Sequence, residues 1–351
     1  MRAVSRVSFV AERVLISGSA GFIGGYLTSE LLRRGYQVVG VDNFSKYGPR
    51  RSPHAGNPDY AFVEGDAADA DLMTSLLADC EYFIAGAAMV GGISYFHRYP
   101  YDLLASNERI MAASCDAAVT ALRQGRLRRL TYLSSSMVYE SADSWPSAEG
   151  QQAQLPPPPS AYGFQKLAGE YFVRAAHDQY GLPYTIVRPF NCVGVGESRA
   201  VRAEDVSSGD VKLALSHVVP DLVIKVLKGQ DPLHILGSGN QVRHYTYGGD
   251  LARGIVTAMA HPRAAGQDFN LSTAASTTVR ELARLIWTKI NGADVPLRIE
   301  HEAPFEHDVQ RRVPDTTKAR TVLGFVATTS LDEVLDEVIG WIREAIAAGL
   351  V

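Results

Sequence analysis

Cysteine is scarce: three in 351 residues, Cys80, Cys115 and Cys192, far apart and without a CxxC spacing. That argues against a disulfide framework and makes a reducing cytoplasm the expected location. Long apolar runs are missing too; none approaches the roughly 18 residues of a membrane span. The opening stretch MRAVSRVSFVAER is too short and too polar for a signal peptide. Nor is there an excess of one charge: 34 Lys and Arg against 38 Asp and Glu leave −4. A nucleic-acid partner and a charged tail are therefore not expected. What is present, 46% apolar and 21% charged residues, is ordinary for a globular chain. The length fits one large α/β domain or two closely packed lobes.

The first half alternates strand and helix patterns. Short apolar runs at 14–17, 37–41, 60–63, 82–85, 130–133 and 184–188 read as buried strands. Amphipathic stretches at 22–34, 103–122 and 162–180 read as helices, the first stopped by Gly35. Repeated βα units predict a doubly wound parallel sheet with helices on both faces. After about residue 190 the texture changes. Residues 194–209 look loop-like, followed by helices near 213–227, 250–260, 279–290 and 331–347 and a strand at 233–236. This predicts a division into residues 1–190, a dinucleotide-binding domain, and 191–351, a smaller α/β substrate lobe, with some exchange of strands and helices between them. The lobe would cap the C-terminal edge of the sheet, where α/β folds bind ligands. The Pro156–Pro159 run reads as a stiff surface loop.

Gly18, Gly21 and Gly24 join the first strand to the first helix. In a chain with 31 glycines such spacing is weak by itself; its position between strand and helix carries the signal. Glycines there let the backbone turn sharply and approach a pyrophosphate, whose charge the helix N-terminus meets. Asp42 ends the second strand, 24 residues after Gly18. A carboxylate there accepts hydrogen bonds from a ribose diol and repels a 2′-phosphate, which favours NAD over NADP.

Tyr162 is the only tyrosine with a lysine, Lys166, four residues on. On a helix the two share a face. An ammonium beside a phenol favours the phenolate, so Lys166 is expected to lower the Tyr162 pKa and let it take a proton from a sugar or alcohol hydroxyl. Ser134-Ser135-Ser136 follow an apolar strand and could hydrogen-bond the same oxygen.

These motifs, with Val41-Asp-Asn-Phe-Ser45, Glu64-Gly-Asp66, Ser134-Ser-Ser-Met-Val-Tyr139, Val187-Arg-Pro-Phe-Asn191, Gln241-Val-Arg-His-Tyr245 and Pro314-Asp-Thr-Thr-Lys318, carry a resemblance. The chain resembles the extended short-chain dehydrogenase/reductase superfamily, in its NAD-dependent nucleotide-sugar epimerase/dehydratase branch, over about residues 13–343. Within it the chain is similar to UDP-glucose 4-epimerase-like enzymes. The resemblance implies a Rossmann fold and NAD as cofactor. It assigns the pyrophosphate turn to Gly18, Gly21, Phe22, Ile23 and Gly24. It puts the adenosine ribose at Asp42, with Asn43 and Ser45 beside it, and the adenine between Asp66 and Ala67. Ala85 and Ala87 would line the middle of the cofactor, with Lys166 and Pro189 at the nicotinamide. Tyr162 matches the base, Ser135 its hydroxyl partner and Lys166 its cationic neighbour. On the substrate side it implies Ser136, Asn191, Arg243 and either Arg311 or Arg312, with a nucleobase pocket near Val219, Leu233 and Ile235. It also implies a homodimer formed through helices 103–122 and 162–180.

Three departures bear on the reaction. The branch's 4,6-dehydratases carry Asp-Glu directly after the catalytic Ser or Thr; here Ser136 and Met137 stand there. Its 3,5-epimerases of GDP-mannose carry a cysteine where Met137 is, yet Met89-Val-Gly-Gly92 is similar to their substrate loop. Glu140 replaces the usual glycine after Val-Tyr, either as a functional carboxylate or as a solvated loop residue. The expected activity is a nucleoside-diphosphate-sugar epimerase acting through a transient 4-keto sugar at C4. Alternatives are dehydration, 3,5-epimerisation or decarboxylation in the same family, an NAD(P)-dependent sugar-nucleotide reductase, and a non-catalytic NAD-sensing protein. No metal site is expected: His301-Glu302 and Glu306-His307 lack ligand spacing. Arg126, Arg128 and Arg129 read as a solvated turn, and Cys192 as a buried structural thiol.

Overall fold

The computed structural model describes residues 11–90, 99–197, 206–208, 211–213, 217–304 and 309–350. The N-terminal elements are β1 (Arg13–Ser17), α1 (Phe22–Arg33), β2 (Gln37–Asp42), β3 (Tyr60–Glu64), α2 (Ala70–Leu77), β4 (Tyr82–Ala85), α3 (Pro100–Arg123), β5 (Arg129–Leu133), α4 (Ala161–Tyr180) and β6 (Tyr184–Pro189). Then follow β7 (Cys192–Val193), β8 (Val206–Ser208), β9 (Val211–Leu213), α5 (Val218–Leu227), β10 (Leu233–Leu236), β11 (Val242–Arg243), β12 (Thr246–Tyr247) and α6 (Gly248–Ala260). The chain ends with β13 (Gln267–Leu271), β14 (Thr277–Thr278), α7 (Val279–Asn291), β15 (Ile299–Glu302), α8 (Thr317–Leu323) and α9 (Leu331–Ala347).

The central sheet has seven strands in the order β13-β6-β5-β4-β1-β2-β3, every neighbouring pair parallel. Strand order reverses between β1 and β4, which opens a crevice beyond their C-terminal ends. Burial on both faces explains the continuous apolar runs. Within β1, Val14 and Ile16 pack with Leu27 and Leu31 of α1 and Leu251 and Ile255 of α6. Leu15, between them, packs with Met73 of α2, Met111 of α3 and Val173 of α4. A third core binds Val219 and Val223 of α5, Leu233 and Ile235 of β10, Ile286 of α7 and Val338 of α9. Capping boxes start α7 (Thr278, Glu281) and α9 (Ser330, Glu333).

Several expectations change. Residues 211–213 form a strand paired with β8, and the helix expected from 213 begins at Val218. α2, α8 and β13 were not singled out by periodicity. β13, α6 and α8 come from beyond residue 190 but pack on the central sheet. Arg129 is not a solvated turn residue. It is buried, and its guanidinium donates to the carbonyls of Ala258 (3.2 Å) and His261 (2.7 Å) at the end of α6. Arg126 and Arg128 pair with Glu81 and Glu12.

Candidate active site

A cavity of about 730 Å³ opens at the strand-order reversal and runs to the second lobe. Its floor is the turn after β1. Gly18 has φ +79°, and a Cβ there would stand 3.0 Å from the Ala87 backbone. A Cβ on Gly24 would lie 2.2 Å from the Gly18 carbonyl oxygen. Gly21 leads into α1 without a side-chain cap, so the first amides of the helix are not covered by a cap. Such a turn suits the close approach of a pyrophosphate. Phe22 and Ile23 also line the cavity.

Asp42 is pinned beside this turn. One carboxylate oxygen accepts from Ala20 N (3.1 Å), the other from Phe44 N (2.8 Å). Burial nevertheless raises its pKa. A carboxylate has about four acceptor positions, so Asp42 keeps capacity for a ribose hydroxyl. Phe44 itself adopts φ +56°, an uncommon conformation for a bulky residue at a ligand cleft. Asn43 donates to Asp66 at 3.1 Å and Ala68 N to its other oxygen at 2.9 Å, which shapes the wall beside Ala67. Ser45 lines the same end. Ala87 reaches the cavity wall, whereas Ala85 faces the sheet core. A residue missed in the sequence joins these strands: the Ser17 hydroxyl accepts from Gly86 N and Ala87 N, both at 3.2 Å. Its signal was a hydroxyl ending β1 directly before Gly18.

Ser135, Tyr162 and Lys166 converge on the middle of the cavity with Pro189 and Ser136. The Ser135 hydroxyl stands near enough to the Tyr162 phenol to favour its ionised form. The expectation that Lys166 lowers the Tyr162 pKa is corrected. Lys166 Nζ donates to the Leu133 carbonyl at 2.8 Å and stands 6.0 Å from the Tyr162 ring centroid. Burial raises the phenol above its ordinary value; the neighbouring Ser135 hydroxyl and the Arg312 charge pull the other way. Burial also lowers Lys166 to about 8.

A buried ionic network supports this centre from behind. Ser134 donates to Glu170 at 2.7 Å, and Arg188 makes two 2.7 Å bonds to the same carboxylate. Arg188 also donates to Asp268 (2.7 Å) and Tyr139 (2.9 Å).

On the second lobe, Asn191, Arg243, Arg312, Val219 and Ile235 line the cavity. Asn191 sits at φ +37°, and its buried Nδ2 has no acceptor among the described residues. Arg243 is buried and donates to the Val242 carbonyl at 3.0 Å. Between the two arginine candidates the structure discriminates. Arg311 is exposed and stacks over Trp145, 5.4 Å from its centroid, off the cavity; Arg312 faces in. Leu233 lies in the third core and does not line the cavity, whereas Ile235, on the same face of β10, belongs to that core and also reaches the cavity. Tyr245 was missed. It lines the cavity with a buried hydroxyl that has no partner among the described residues, under the charges of Arg243 and Arg312. Lys46, and His217 paired with Glu197, were also missed and line the cavity.

Of the discounted signals, His301 binds the Gly237 carbonyl at 2.8 Å, and residues 306 and 307 lie outside the described residues. Met89 and Val90 line the cavity, but Gly91 and Gly92 also lie outside the described residues. Cys192, expected to be buried, is instead half-buried and lines the cavity, and desolvation raises its thiol.

Residues 14–272 match the family described as "NAD dependent epimerase/dehydratase family". The chain belongs to that family. It is 28% identical over 335 residues to a UDP-glucose 4-epimerase of Mycolicibacterium smegmatis, covering 94% of this chain and 98% of the relative. It is 28% identical over 345 residues to UDP-glucuronic acid decarboxylase 1 of Xenopus tropicalis, covering 96% of this chain and 75% of the relative. Among solved structures it superposes on a dTDP-glucose 4,6-dehydratase of Streptomyces venezuelae crystallised with NAD. There the TM-score is 0.80 at 25% identity, over 96% of this chain and 98% of that one. The Rossmann-type fold and the NAD-dependent class follow. Epimerases, decarboxylases and dehydratases all stand among these relatives, so the reaction must be argued from the site.

Proposed function

We propose that this protein is a nucleoside-diphosphate-sugar epimerase acting at C4. The observation that carries the reading is the convergence of Ser135, Tyr162 and Lys166 in one cavity while Ser136 and Met137 occupy the positions after Ser135. A hydroxyl and a thioether cannot supply the second acid and base that elimination of water requires.

Gly18, Gly21, Phe22, Ile23 and Gly24 would hold the pyrophosphate of NAD, Asp42 its ribose, Asp66 and Ala67 its adenine, and Lys166 and Pro189 its nicotinamide end. When bound, NAD would supply reversible hydride acceptance at the sugar carbon, and its charged ring would add to the forces favouring a phenolate. Tyr162 then accepts the C4 hydroxyl proton, and Ser135 holds that oxygen. Lys166, anchored on Leu133, supplies positive charge without contacting the phenol oxygen. Asn191, Arg243 and Arg312 grip the diphosphate, so the 4-keto sugar can turn while the nucleotide stays fixed. Tyr162 returns the proton to the inverted alcohol.

The working form is read as a homodimer in the cytoplasm. Tyr101 of α3 and Phe164 and Tyr171 of α4 are 75%, 46% and 65% exposed on adjacent helices, an apolar face suited to a second copy. Sedimentation of Tyr171→Glu beside wild type tests this: a shift to monomer is expected, and an unchanged or monomeric wild-type pattern would refute it. Among the described residues no helix is long and apolar enough to cross a membrane.

Tyr162→Phe tests the chemical assignment. It should bind NAD as wild type does yet lose turnover at least a hundredfold. Full activity would overturn it.

A further inference from the structure

Glu140 stands immediately after the single 3₁₀ turn Ser136–Tyr139, whose N-cap is Ser135. It was open whether this carboxylate is functional or merely solvated. It is half-buried, does not line the cavity, and its Oε2 is fully engaged. That oxygen accepts from Ser160 N at 3.1 Å and from Ser160 Oγ at 2.6 Å. Ser160 is the N-cap of α4, and its Oγ in turn accepts from Gly163 N at 3.0 Å. One hydroxyl thus donates to Glu140 and accepts from the helix that carries Tyr162.

The joint is also closed sterically. A Cβ on Gly163 would lie 2.7 Å from Glu140 Oε2, 2.7 Å from Pro158 Cβ and 2.8 Å from the Met137 carbonyl oxygen. The turn therefore rests on the first turn of α4 with no space between them. A carboxylate at that helix end is favoured by the helix dipole and satisfies the terminal donors. The side chains carried to either side of the joint, Ser135 and Tyr162, face the same cavity.

We propose that Glu140 is a positioning residue, a carboxylate clamp that joins the turn bearing Ser135 to the helix bearing Tyr162 and so sets their separation. Arg188 also bridges the two segments, donating to Tyr139 of the turn at 2.9 Å and to Glu170 at 2.7 Å, but it holds α4 nine residues into the helix, whereas Glu140 holds the helix end beside Tyr162. Misplacing reacting groups by about an ångström costs up to a hundredfold in rate, so relaxing this joint is costly. The inference rests on the epimerase reading for its kinetic arm only.

The test compares Glu140→Ala and Glu140→Gln with wild type. Glutamine keeps an oxygen that can accept from both Ser160 donors; alanine does not. For Glu140→Ala we expect kcat to fall roughly tenfold with KM and NAD affinity within about twofold, and Glu140→Gln to stay within about threefold of wild type. The second arm needs no substrate. In protein labelled with [¹³Cζ]tyrosine, Tyr162, assigned through Tyr162→Phe, should shift in Glu140→Ala in the direction that Ser135→Ala shifts it, and stay in place in Glu140→Gln. If Glu140→Ala does not fold, Ser160→Gly opens the joint from the other side and should give the alanine result. An unmoved Tyr162 resonance in the alanine variant, or equal effects of alanine and glutamine, would overturn the proposal. Absence of turnover in wild type would sink the epimerase reading and leave the resonance arm to decide the clamp.

Discussion

Arg188 and Glu170 meet in two hydrogen bonds of 2.7 Å each, with side-chain exposures of 0% and 2%. They join β6 to the helix of Tyr162, and Ser134 binds the same carboxylate. Desolvating both charges is expensive, and the pair holds only because each is saturated. Glu170→Ala leaves a buried guanidinium with its main partner gone. Stability should fall by about 3–5 kcal/mol, read as a lower midpoint in urea. A loss under 1 kcal/mol would mean that Asp268 and Tyr139 alone satisfy Arg188.

The network predicts an acid limit. Asp268 is bound by Arg188 at 2.7 Å and Lys318 at 2.9 Å, and their charges hold its carboxyl well below the usual 3.8. A depressed carboxyl contributes stability that is complete above its unfolded pKa and is lost as pH falls towards the folded one. Asp268→Asn should therefore cost stability at pH 6–7, and the gap from wild type should narrow below about pH 4. Thermal unfolding of both proteins across pH 2.5–7 measures it. A gap independent of pH would refute the electrostatic origin.

Gly18 tests the cofactor assignment. Its φ of +79° and the Ala87 backbone 3.0 Å from a Cβ leave no room for a methyl group. Gly18→Ala should weaken NAD binding at least tenfold by calorimetry while the protein stays folded. Wild-type affinity would mean that the pyrophosphate lies elsewhere.

Arg312 and Arg311 provide a paired control. Arg312→Met should raise the Kd for a nucleoside diphosphate at least tenfold, because a charge-assisted contact to phosphate is lost. Arg311→Met, over Trp145, should change it by less than twofold. The reverse pattern would contradict the placement of the diphosphate.

β1, β4, β5 and β6 were legible because both faces of the sheet are covered there and the strands are buried along their length; β3, at the sheet edge, is mostly exposed and was legible from its YAFV run alone. β13 was not. Its sequence QDFNL places Asp268 and Asn270 among partners remote in sequence, Arg188, Lys318 and Tyr139, so its polar residues are paired within the fold. The glycine turn, Asp42, Ser135 and Tyr162 were legible because each chemistry fixes a residue type at a short spacing. Local spacing does not say that Arg312 points in and Arg311 out, since neighbours on an extended segment face opposite ways. It misjudged Lys166 because an ammonium four residues away chose a backbone carbonyl. Glu140 was ambiguous because its partner, Ser160, lies 20 positions further along the chain.

The C4 epimerase reading meets its most direct test in a panel of UDP-, GDP-, dTDP- and CDP-sugars incubated with the NAD-loaded protein in deuterated water. Mass spectrometry and proton NMR read the products. The expected product has unchanged mass, no deuterium on carbon and an inverted C4, because the hydride returns to the carbon it left. Carbon-bound deuterium, or loss of water or carbon dioxide, would keep the family and contradict the reaction.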